Sequence, residues 1–191
     1  MDCQLVTVTK LPTKWGEFAL HAFAFGEEHH LALVLGDLSA PGPVLTRIHS
    51  ECLTGDALFS QRCDCGSQLA SALQAISREG RGLLIYLRQE GRGIGLLNKL
   101  KAYHLQDGGL DTVDANLALG LEVDSRSYEY CRHILEYFGI KHIRLITNNP
   151  KKLAAIAEMG IEVERQPSES SVVADNERYI ATKVERMGHL F

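Results

Sequence analysis

Three cysteines lie close together in the first half of the sequence. Cys52, Cys63 and Cys65 have the spacing Cys-x10-Cys-x-Cys. Thiolates are soft ligands that zinc prefers, and three of them leave the fourth position of a tetrahedral ion open, as in catalytic zinc sites. His49, which precedes this group, could instead close that position and make the site structural, or it could be a hydrogen-bonded neighbour. The spacing predicts a zinc site, with small buried cysteines as the alternative.

The composition favours a metal over disulfides. The chain has five cysteines among 191 residues, 45% hydrophobic residues and a formal charge of −4. No apolar run is long enough for a bilayer and no signal-peptide pattern occurs, so we expect a cytoplasmic protein without membrane contact, where disulfides are rare. Cys3 and Cys131 fit small buried residues. The negative charge argues against general binding to nucleic acid, and a bound polyanion would need a local group of Arg and Lys.

A glycine-rich segment follows an apolar run. Residues 90–95 read Glu-Gly-Arg-Gly-Ile-Gly, between the strand-like residues 82–87 and the helix-like residues 96–106. Backbone N–H groups in such a loop, and the positive end of a helix, can bind phosphate. The spacing matches neither the dinucleotide fingerprint nor the P-loop, so a flexible turn is the alternative. Arg88 and Arg92 favour phosphate, because guanidinium groups pair bidentately with its oxygens.

A second anion signal is Thr-Asn-Asn-Pro-Lys-Lys at 147–152. Asn149 followed by Pro150 is typical of a helix start. Lys151 and Lys152 would then oppose the helix dipole in the first turn, which indicates a bound anion between them and the N–H groups. The alternative is a solvated surface that tolerates the small cost.

Two further residue pairs have a structural interpretation, and the first of them also allows a catalytic one. Asp124 and Arg126, at a predicted helix start, are either a capping aspartate and an exposed arginine, or a carboxylate base and a charged group directed at a phosphoryl centre. Tyr103 and His104 lie on a predicted helix, where an aromatic residue is usually part of the core. The residues alone leave these alternatives open.

Strand and helix patterns alternate along the chain. Apolar runs at 31–38, 43–49, 82–87, 141–147 and 161–165 predict strands. Helices are predicted through Leu69, Leu73 and Ile76 up to Gly80, and over 96–106, 127–140, 150–159 and about 179–187, with a loop from residue 168 to the last of these. We therefore predict an α/β fold with a mixed β-sheet flanked by helices, a β-rich N-terminal part, and a single domain over 1–191.

Several motifs together resemble one enzyme family. They are RxHSECxTGDxxxSxRCDCGxQ from Arg47, QEGRGIGL, DTxxAN, DxR, TNNPKK and a terminal TKxxRMGHL. This combination resembles GTP cyclohydrolase II, from about Lys10 to Leu190. Many members carry an upstream dihydroxybutanone-phosphate synthase domain, and this chain is similar to the stand-alone form.

The resemblance implies a reaction and its cofactors. The family opens the imidazole ring of GTP, releases C8 as formate, and releases pyrophosphate, leaving a diaminopyrimidinone ribosyl phosphate in the first committed step of riboflavin biosynthesis. It implies one zinc ion per subunit on Cys52, Cys63 and Cys65, with water in the open position, magnesium on the triphosphate, and a homodimer. The alternatives are a member that stops at the formamidopyrimidine nucleotide, a non-catalytic GTP-binding regulatory module, and a purely structural zinc protein.

The resemblance also implies roles for individual residues. The nucleotide contacts would be Arg47, His49, Ser50, Glu51, Gln68, Glu90, Gly91, Arg92, Thr112, Thr147 and Lys152. Asp124 would be the proton acceptor and Arg126 the nucleophile toward the α-phosphate, although a guanidinium is charged at pH 7 and charge stabilisation is the simpler role. Tyr103 would handle the ring-opened intermediate, and its presence instead of methionine predicts the full reaction. Asp64 has no predicted role.

Overall fold

The computed structural model describes residues 3–169 and 172–190. The strands are β1 (Gln4–Thr13), β2 (Gly16–Phe25), β3 (Glu28–Leu35), β4 (Val44–Ser50), β5 (Gly82–Leu87), β6 (His142–Ile146) and β7 (Glu162–Gln166). The helices are α1 (Leu53–Asp56), α2 (Cys65–Glu79), α3 (Leu96–Asp107), α4 (Thr112–Ala118), α5 (Glu129–Tyr137), α6 (Pro150–Ala157) and α7 (Glu177–Glu185), with a 3₁₀ turn at Glu90–Gly93.

All seven strands form one mixed sheet in the order β1-β2-β3-β5-β4-β6-β7. The half from β1 to β5 is antiparallel, with β3 paired to β5 through Leu33 opposite Leu84. The half from β5 to β7 is parallel, with Ile48 of β4 opposite Ile85 of β5. The chain therefore combines a meander that needs only short turns with a parallel part that needs helical crossovers.

Two apolar clusters cover the two faces of the sheet. One joins Ile48 and Ile85 of the sheet to Ile134 of α5 and Ile156 of α6. The other joins alternate residues of the same strands, such as Leu45 and Leu84, to Ala72, Leu73 and Ile76 of α2. Because successive side chains of a strand point to opposite faces, β4 and β5 are apolar on both sides.

The parallel half places three connecting segments at one edge of the sheet. Strands β4, β5 and β6 end at Ser50, Leu87 and Ile146, and their carboxyl ends meet at this edge. The cysteine segment follows β4, the glycine-rich segment follows β5, and Thr147 to Lys152 follow β6. Ligands of α/β sheets bind at this kind of edge.

The predicted fold class is confirmed: this is an α/β unit with a mixed sheet, flanking helices and a β-rich N-terminal part. The helix predicted near Asp124 begins later, at Glu129, so the interpretation of Asp124 as its cap is wrong. The loop predicted after residue 168 includes 170 and 171, which lie outside the described residues, as do 1, 2 and 191. In the described ranges, no helix combines the length and apolar character needed to cross a membrane.

Candidate active site

A cavity that is open to solvent lies at the carboxyl ends of β4, β5 and β6. Its walls come from the three connecting segments and from helices α2, α3, α4 and α7. The lining residues are Arg47, His49, Ser50, Glu51, Cys52, Cys63, Cys65, Gln68, Glu90, Gly91, Arg92, Ile94, Lys99, Ala102, Tyr103, Gln106, Thr112, Asn116, Arg126, Thr147, Asn148, Asn149, Lys152, Tyr179, Lys183 and His189.

Cys52, Cys63 and Cys65, here called the thiolate cluster, have the geometry of a metal site. Their sulfur atoms all lie within 4.8 Å of one another, and Cys52 Sγ is 3.7 Å from Cys63 Sγ. A tetrahedral zinc ion with Zn–S distances of about 2.3 Å separates its sulfur ligands by about 3.8 Å. All five cysteines of the chain are free thiols. The thiolate cluster therefore fits a soft, tetrahedral cation.

Two glycines allow the segments that carry these ligands to approach each other. A Cβ atom at Gly55 would lie 2.9 Å from Cys63 Sγ and 3.3 Å from Cys52 Sγ, inside the space that an ion needs. A Cβ atom at Gly66 would lie 2.3 Å from the carbonyl oxygen of Gly55. The two turns are therefore in backbone contact, and this contact sets the separation of the ligands.

A buried lysine balances the charge of the thiolate cluster. Lys99 Nζ donates hydrogen bonds to Cys52 Sγ at 3.1 Å, to Thr54 Oγ1 at 2.9 Å and to Glu90 Oε1 at 2.8 Å. Burial alone would lower the pKa of Lys99, but the bond to Glu90 and the nearby Tyr103 and Cys52 raise it above its ordinary value. Hydrogen bonds from the other two thiols, together with Lys99, lower the pKa of Cys52. One thiolate is thus favoured in this position.

His49 is held by a carboxylate. Its Nε2 donates to Asp56 Oδ1 at 3.0 Å, and the same carboxylate accepts from Cys52 N at 3.0 Å and from the Tyr86 hydroxyl at 2.7 Å. Burial lowers the pKa of His49, although the bond to Asp56 acts in the opposite direction. A neutral His49 ring that donates a hydrogen bond from Nε2 to Asp56 fits the role of a hydrogen-bonded neighbour of the thiolate cluster. The structure does not bring this ring into the group of metal-ligating atoms.

Arg47, Arg126 and Lys152, here called the cationic group, form another part of the lining. Lys152 is 5% exposed, and its Nζ donates to the Ile48 carbonyl oxygen at 2.7 Å. Burial and then the charges of Arg47 and Arg126 lower the pKa of Lys152 well below its ordinary value. Arg47, 5% exposed, donates to Gln68 Oε1 at 2.7 Å and to the Ile146 carbonyl oxygen at 3.0 Å. Such a concentration of basic side chains with little exposure favours a polyanionic ligand.

Arg126 is paired with Asp124 rather than exposed. Its Nε and Nη2 atoms donate to the two carboxylate oxygens at 2.8 and 2.6 Å, and the Arg126 side chain is 10% exposed. Burial alone would raise the pKa of Asp124, but the bonds from Arg126 lower it below its ordinary value. In this arrangement the aspartate is ionised and the guanidinium is charged.

The glycine-rich segment packs against the loop that contains Asp124 and Arg126. Gly91 and Arg92 both have left-handed backbone conformations, with φ values of 63° and 60°. The Arg92 carbonyl oxygen accepts from Ser125 N at 3.0 Å, and a Cβ atom at Gly93 would lie 3.2 Å from Ser125. The Glu90 carboxylate turns inward and accepts from Leu53 N and Gly91 N, both at 2.7 Å, besides Lys99. The loop thereby connects the thiolate cluster to Arg126.

Comparison with known proteins supplies the family. A sequence model described as GTP cyclohydrolase II matches residues 4–168. The chain belongs to the GTP cyclohydrolase II family. Among similar relatives, a protein named GTP cyclohydrolase-2 from Neisseria meningitidis serogroup A is 55% identical over 187 residues, covering 97% of this chain and 95% of that protein. Its namesake from Pseudomonas putida W619 is 57% identical over 194 residues, covering 100% and 94%. The chain is accordingly an enzyme of the GTP cyclohydrolase II type.

One solved structure shares the fold. It is RibBX, described as a two-domain 3,4-dihydroxy-2-butanone 4-phosphate synthase from A. baumannii, with a TM-score of 0.50 and 18% sequence identity. The match covers 87% of this chain and 40% of that one. At this identity the likeness concerns the fold alone.

The residues predicted from the GTP cyclohydrolase II motifs come together in the cavity. Each of them lines it except Asp124, which lies behind Arg126. Of the two lysines of Thr-Asn-Asn-Pro-Lys-Lys, Lys152 is buried and lines the cavity, whereas Lys151 is exposed and lies outside the lining. Tyr103 lines the cavity, with its hydroxyl 3.4 Å from Thr54 Oγ1, whereas His104 is exposed.

Sequence reasoning missed several residues of this GTP cyclohydrolase II site. Lys99, Asp56, Tyr179 and Lys183 contact predicted site residues or line the cavity. Lys99 and Lys183 look like ordinary helix-surface lysines in the sequence, because only the tertiary contacts bury them. The signal that existed for Lys183 was its place in the terminal TKxxRMGHL motif.

Proposed function

We propose that this chain catalyses the complete GTP cyclohydrolase II reaction. It would hydrolyse GTP to formate, pyrophosphate and a diaminopyrimidinone ribosyl phosphate, as the first committed step of riboflavin biosynthesis. One observation carries the proposal: a three-sulfur cluster suited to zinc and a buried cationic group suited to a triphosphate line the same cavity. The first suits attack on the base, and the second suits chemistry at the phosphates.

Cys52, Cys63 and Cys65 would hold one zinc ion per subunit. Zinc bound there would supply the Lewis acid that activates water for attack at C8 of guanine. Lys99 holds Cys52 in place and offsets negative charge, and Thr54 links Lys99 to the Tyr103 hydroxyl. Burial raises the pKa of Tyr103 to about 12, so its hydroxyl keeps its proton and can donate a hydrogen bond to the ring-opened base. This role of Tyr103 supports the full reaction over release of a formamidopyrimidine.

The cationic group would bind the triphosphate together with magnesium. Lys152 has one neutral carbonyl acceptor, and an arriving phosphate would restore its charged state. We infer that Arg126 acts by its charge at the α-phosphate. Two of its nitrogen atoms are already bonded to Asp124, and this bonding raises the pKa of the guanidinium against the effect of burial. A guanidinium in this state stabilises developing negative charge and is a poor nucleophile.

The remaining contacts follow from their positions on the lining. Arg47, His49 and Ser50 lie in the last part of β4, and Glu51 follows the strand, before the thiolate cluster. Gln68 would face the base. Glu90, Gly91 and Arg92, with Thr112 and Thr147, would complete the nucleotide contacts. We further propose a cytoplasmic homodimer of single-domain subunits over 1–191, without nucleic-acid or membrane partners.

The direct test uses purified protein, GTP and Mg²⁺, and follows formate and pyrophosphate separately. Both products are expected, and formate release should stop after zinc chelation and return when zinc is added. Formate release that persists without zinc contradicts the proposed role of the thiolate cluster. Pyrophosphate without formate would instead identify an enzyme that stops at the ring-opened nucleotide, and GTP binding without either product would identify a regulatory module.

A further inference from the structure

The C-terminal helix α7 and the turn after it form a wall of the cavity. Tyr179, Lys183 and His189 line it, although the match to the family sequence model ends at residue 168. The helix is attached by contacts at both ends. Arg178 Nη2 donates to the Gly109 carbonyl oxygen at 2.7 Å, and Arg186 pairs with Asp111, the cap of α4.

A buried ion pair joins this helix to the turn between two metal ligands. Lys183 Nζ lies 2.6 Å from Asp64 Oδ1, with side-chain exposures of 10% and 0%. Asp64 immediately precedes α2 but makes no side-chain cap of it. A buried ion pair is weak support for stability, because apolar residues of similar size often replace it without loss. We therefore expect the Lys183–Asp64 pair to have a functional role besides stabilisation of the fold.

The second oxygen of Asp64 determines the orientation of a predicted base contact. Asp64 Oδ2 accepts from Gln68 Nε2 at 2.6 Å, and Gln68 Oε1 accepts from Arg47 Nη2 at 2.7 Å. An amide has one donor end and one acceptor end, so a carboxylate on one side and a guanidinium on the other permit a single orientation. The chain Lys183, Asp64, Gln68 and Arg47 thus fixes two lining residues through one carboxylate.

The same helix also supports the glycine-rich segment. The Tyr179 hydroxyl accepts from Arg92 Nη2 at 3.3 Å, and the Arg92 guanidinium carbon lies 5.8 Å from the Tyr179 ring centre. Arg92 also has a left-handed backbone conformation that a non-glycine residue seldom adopts. Helix α7 therefore contacts two segments of the lining: it bonds to Asp64, which holds Gln68, and to Arg92 of the glycine-rich segment.

We propose that α7 positions the nucleotide-binding side chains of this enzyme. Lys183, through Asp64, is a positioning residue for Gln68 and Arg47, and Tyr179 is a positioning residue for Arg92. The proposal rests on the proposed function, since it concerns binding of GTP. It also gives the terminal TKxxRMGHL motif and Asp64 a common purpose.

The test compares variants in the zinc-loaded, full-length enzyme. Lys183→Met alone would leave a buried unpaired carboxylate, so the main variant is Asp64→Leu with Lys183→Met, which removes both charges and the oxygen that accepts from Gln68. We expect KM for GTP to rise about tenfold or more, with kcat unchanged within about twofold and zinc content unchanged. Lys183→Arg keeps the charge, so its KM for GTP should stay close to that of the wild type. Tyr179→Phe should raise KM by about threefold.

Glu185→Gln is the matched control, because Glu185 is exposed on the same helix. The proposal is overturned if the double variant keeps the KM of the wild type, if kcat and zinc content fall while KM is unchanged, or if Glu185→Gln has the same effect. If the wild type releases no formate, the proposed function fails instead. The same variants are then compared by the dissociation constant of GTP from calorimetry, where an unchanged value again overturns the positioning role.

Discussion

The thiolate cluster and the cationic group line one cavity but differ in how their charges are paired. In the thiolate cluster, the negative charge of Cys52 is met by Lys99, and Lys99 in turn is met by Glu90. In the cationic group, Asp124 pairs with Arg126, whereas Arg47 and Lys152 are bonded to neutral oxygens. In the first, each of these charges has a charged partner, whereas in the second the hydrogen-bond partners of Arg47 and Lys152 are neutral.

This difference separates two ways of preparing a site. A balanced cluster can be assembled during folding and needs only an ion to finish its coordination. An unbalanced group stores unfavourable electrostatic energy that a bound anion relieves, so ligand binding and protein stability are coupled there. We therefore expect substitutions in the thiolate cluster to act on chemistry, and substitutions of the unpaired Arg47 and Lys152 to act on affinity and stability in opposite directions.

Cys63→Ser should have the largest effect. Loss of one thiolate removes the metal's charge stabilisation, worth several kcal/mol, so formate release should fall by about a thousandfold or more. Zinc content by elemental analysis should fall in parallel. Cys3→Ser is the control, because Cys3 is partly buried and lies outside the cavity lining. Full zinc content and normal formate release in Cys63→Ser would contradict the metal site.

Arg126 tests whether the cationic group acts by charge during the reaction. Arg126→Gln should lower kcat by about 100- to 1,000-fold, whereas Arg126→Lys, which keeps the charge but loses the bidentate bond, should lose only about tenfold. Single-turnover experiments with labelled GTP should show no nucleotide attached to the protein. Equal losses in both variants, or a trapped adduct, would favour a covalent role. Arg132→Gln, on α5 and outside the cavity lining, is the control.

Lys152→Met should separate affinity from stability. KM for GTP should rise about tenfold to a hundredfold with the loss of a charge-assisted contact. Because the pKa of Lys152 is lowered in the folded protein, the unfolded chain binds one more proton at any pH between that value and 10.5. The free energy of unfolding of the wild type should therefore rise with pH in this range, by up to about 1.4 kcal/mol per pH unit, and the variant should lack this contribution.

Denaturant unfolding without nucleotide, at several pH values, measures the difference between wild type and Lys152→Met. The exposed neighbour serves as control, since Lys151→Met should give the same pH dependence as the wild type. Parallel curves for the wild type and Lys152→Met would mean that the buried lysine keeps its proton, and the contrast between the two parts of the lining would be wrong.

Asn149→Asp should have the smallest effect. Asn149 caps α6 through a bond from Lys151 N to its Oδ1 at 3.0 Å, and aspartate can make the same bond. The added charge at a helix N-terminus beside the cationic group should raise the free energy of unfolding by about 0.5–1 kcal/mol. It should weaken GTP binding about threefold through repulsion of phosphate. Asn149→Ser, a neutral cap, is the comparison, and a less stable Asn149→Asp would refute the idea.

Local patterns predicted the elements whose ends are marked by glycine, proline or apolar runs. Strand β5 coincides with the apolar run 82–87, α2 ends before Gly80, and α6 begins at Pro150 as expected. The helix α5 begins later than predicted because the Asp124 carboxylate accepts from the backbone and side chain of Arg126, a local arrangement that competes with capping. The sequence pattern does not give the bounds of the hairpin β1–β2, because β2 is apolar on both faces and its sequence lacks a clear alternation.

The site divides in a similar way. Cysteine spacing is chemically distinctive, so the thiolate cluster was predictable from the residues. Lysines and aspartates are common on surfaces, and nothing local distinguishes Lys99, Lys183 or Asp56 from solvated neighbours. Their burial depends on contacts with residues 30 to 119 positions away in the sequence: Tyr86 for Asp56, Cys52 for Lys99 and Asp64 for Lys183. Such pairings follow from the topology of the sheet and not from sequence patterns.

The backbone contact between Gly55 and Gly66 has a consequence for metal selectivity. Because peptide groups in direct contact fix the separation of the two ligand turns, the opening for an ion is set by the protein. A larger soft ion would have to spread two turns that cannot slide past each other. Apoprotein titrated with Co²⁺ and Cd²⁺ should therefore prefer the smaller ion more strongly than a flexible three-cysteine peptide does, and Gly55→Ala should abolish binding of both. In this enzyme, size exclusion by the backbone would add to thiolate softness in deciding which metal is retained.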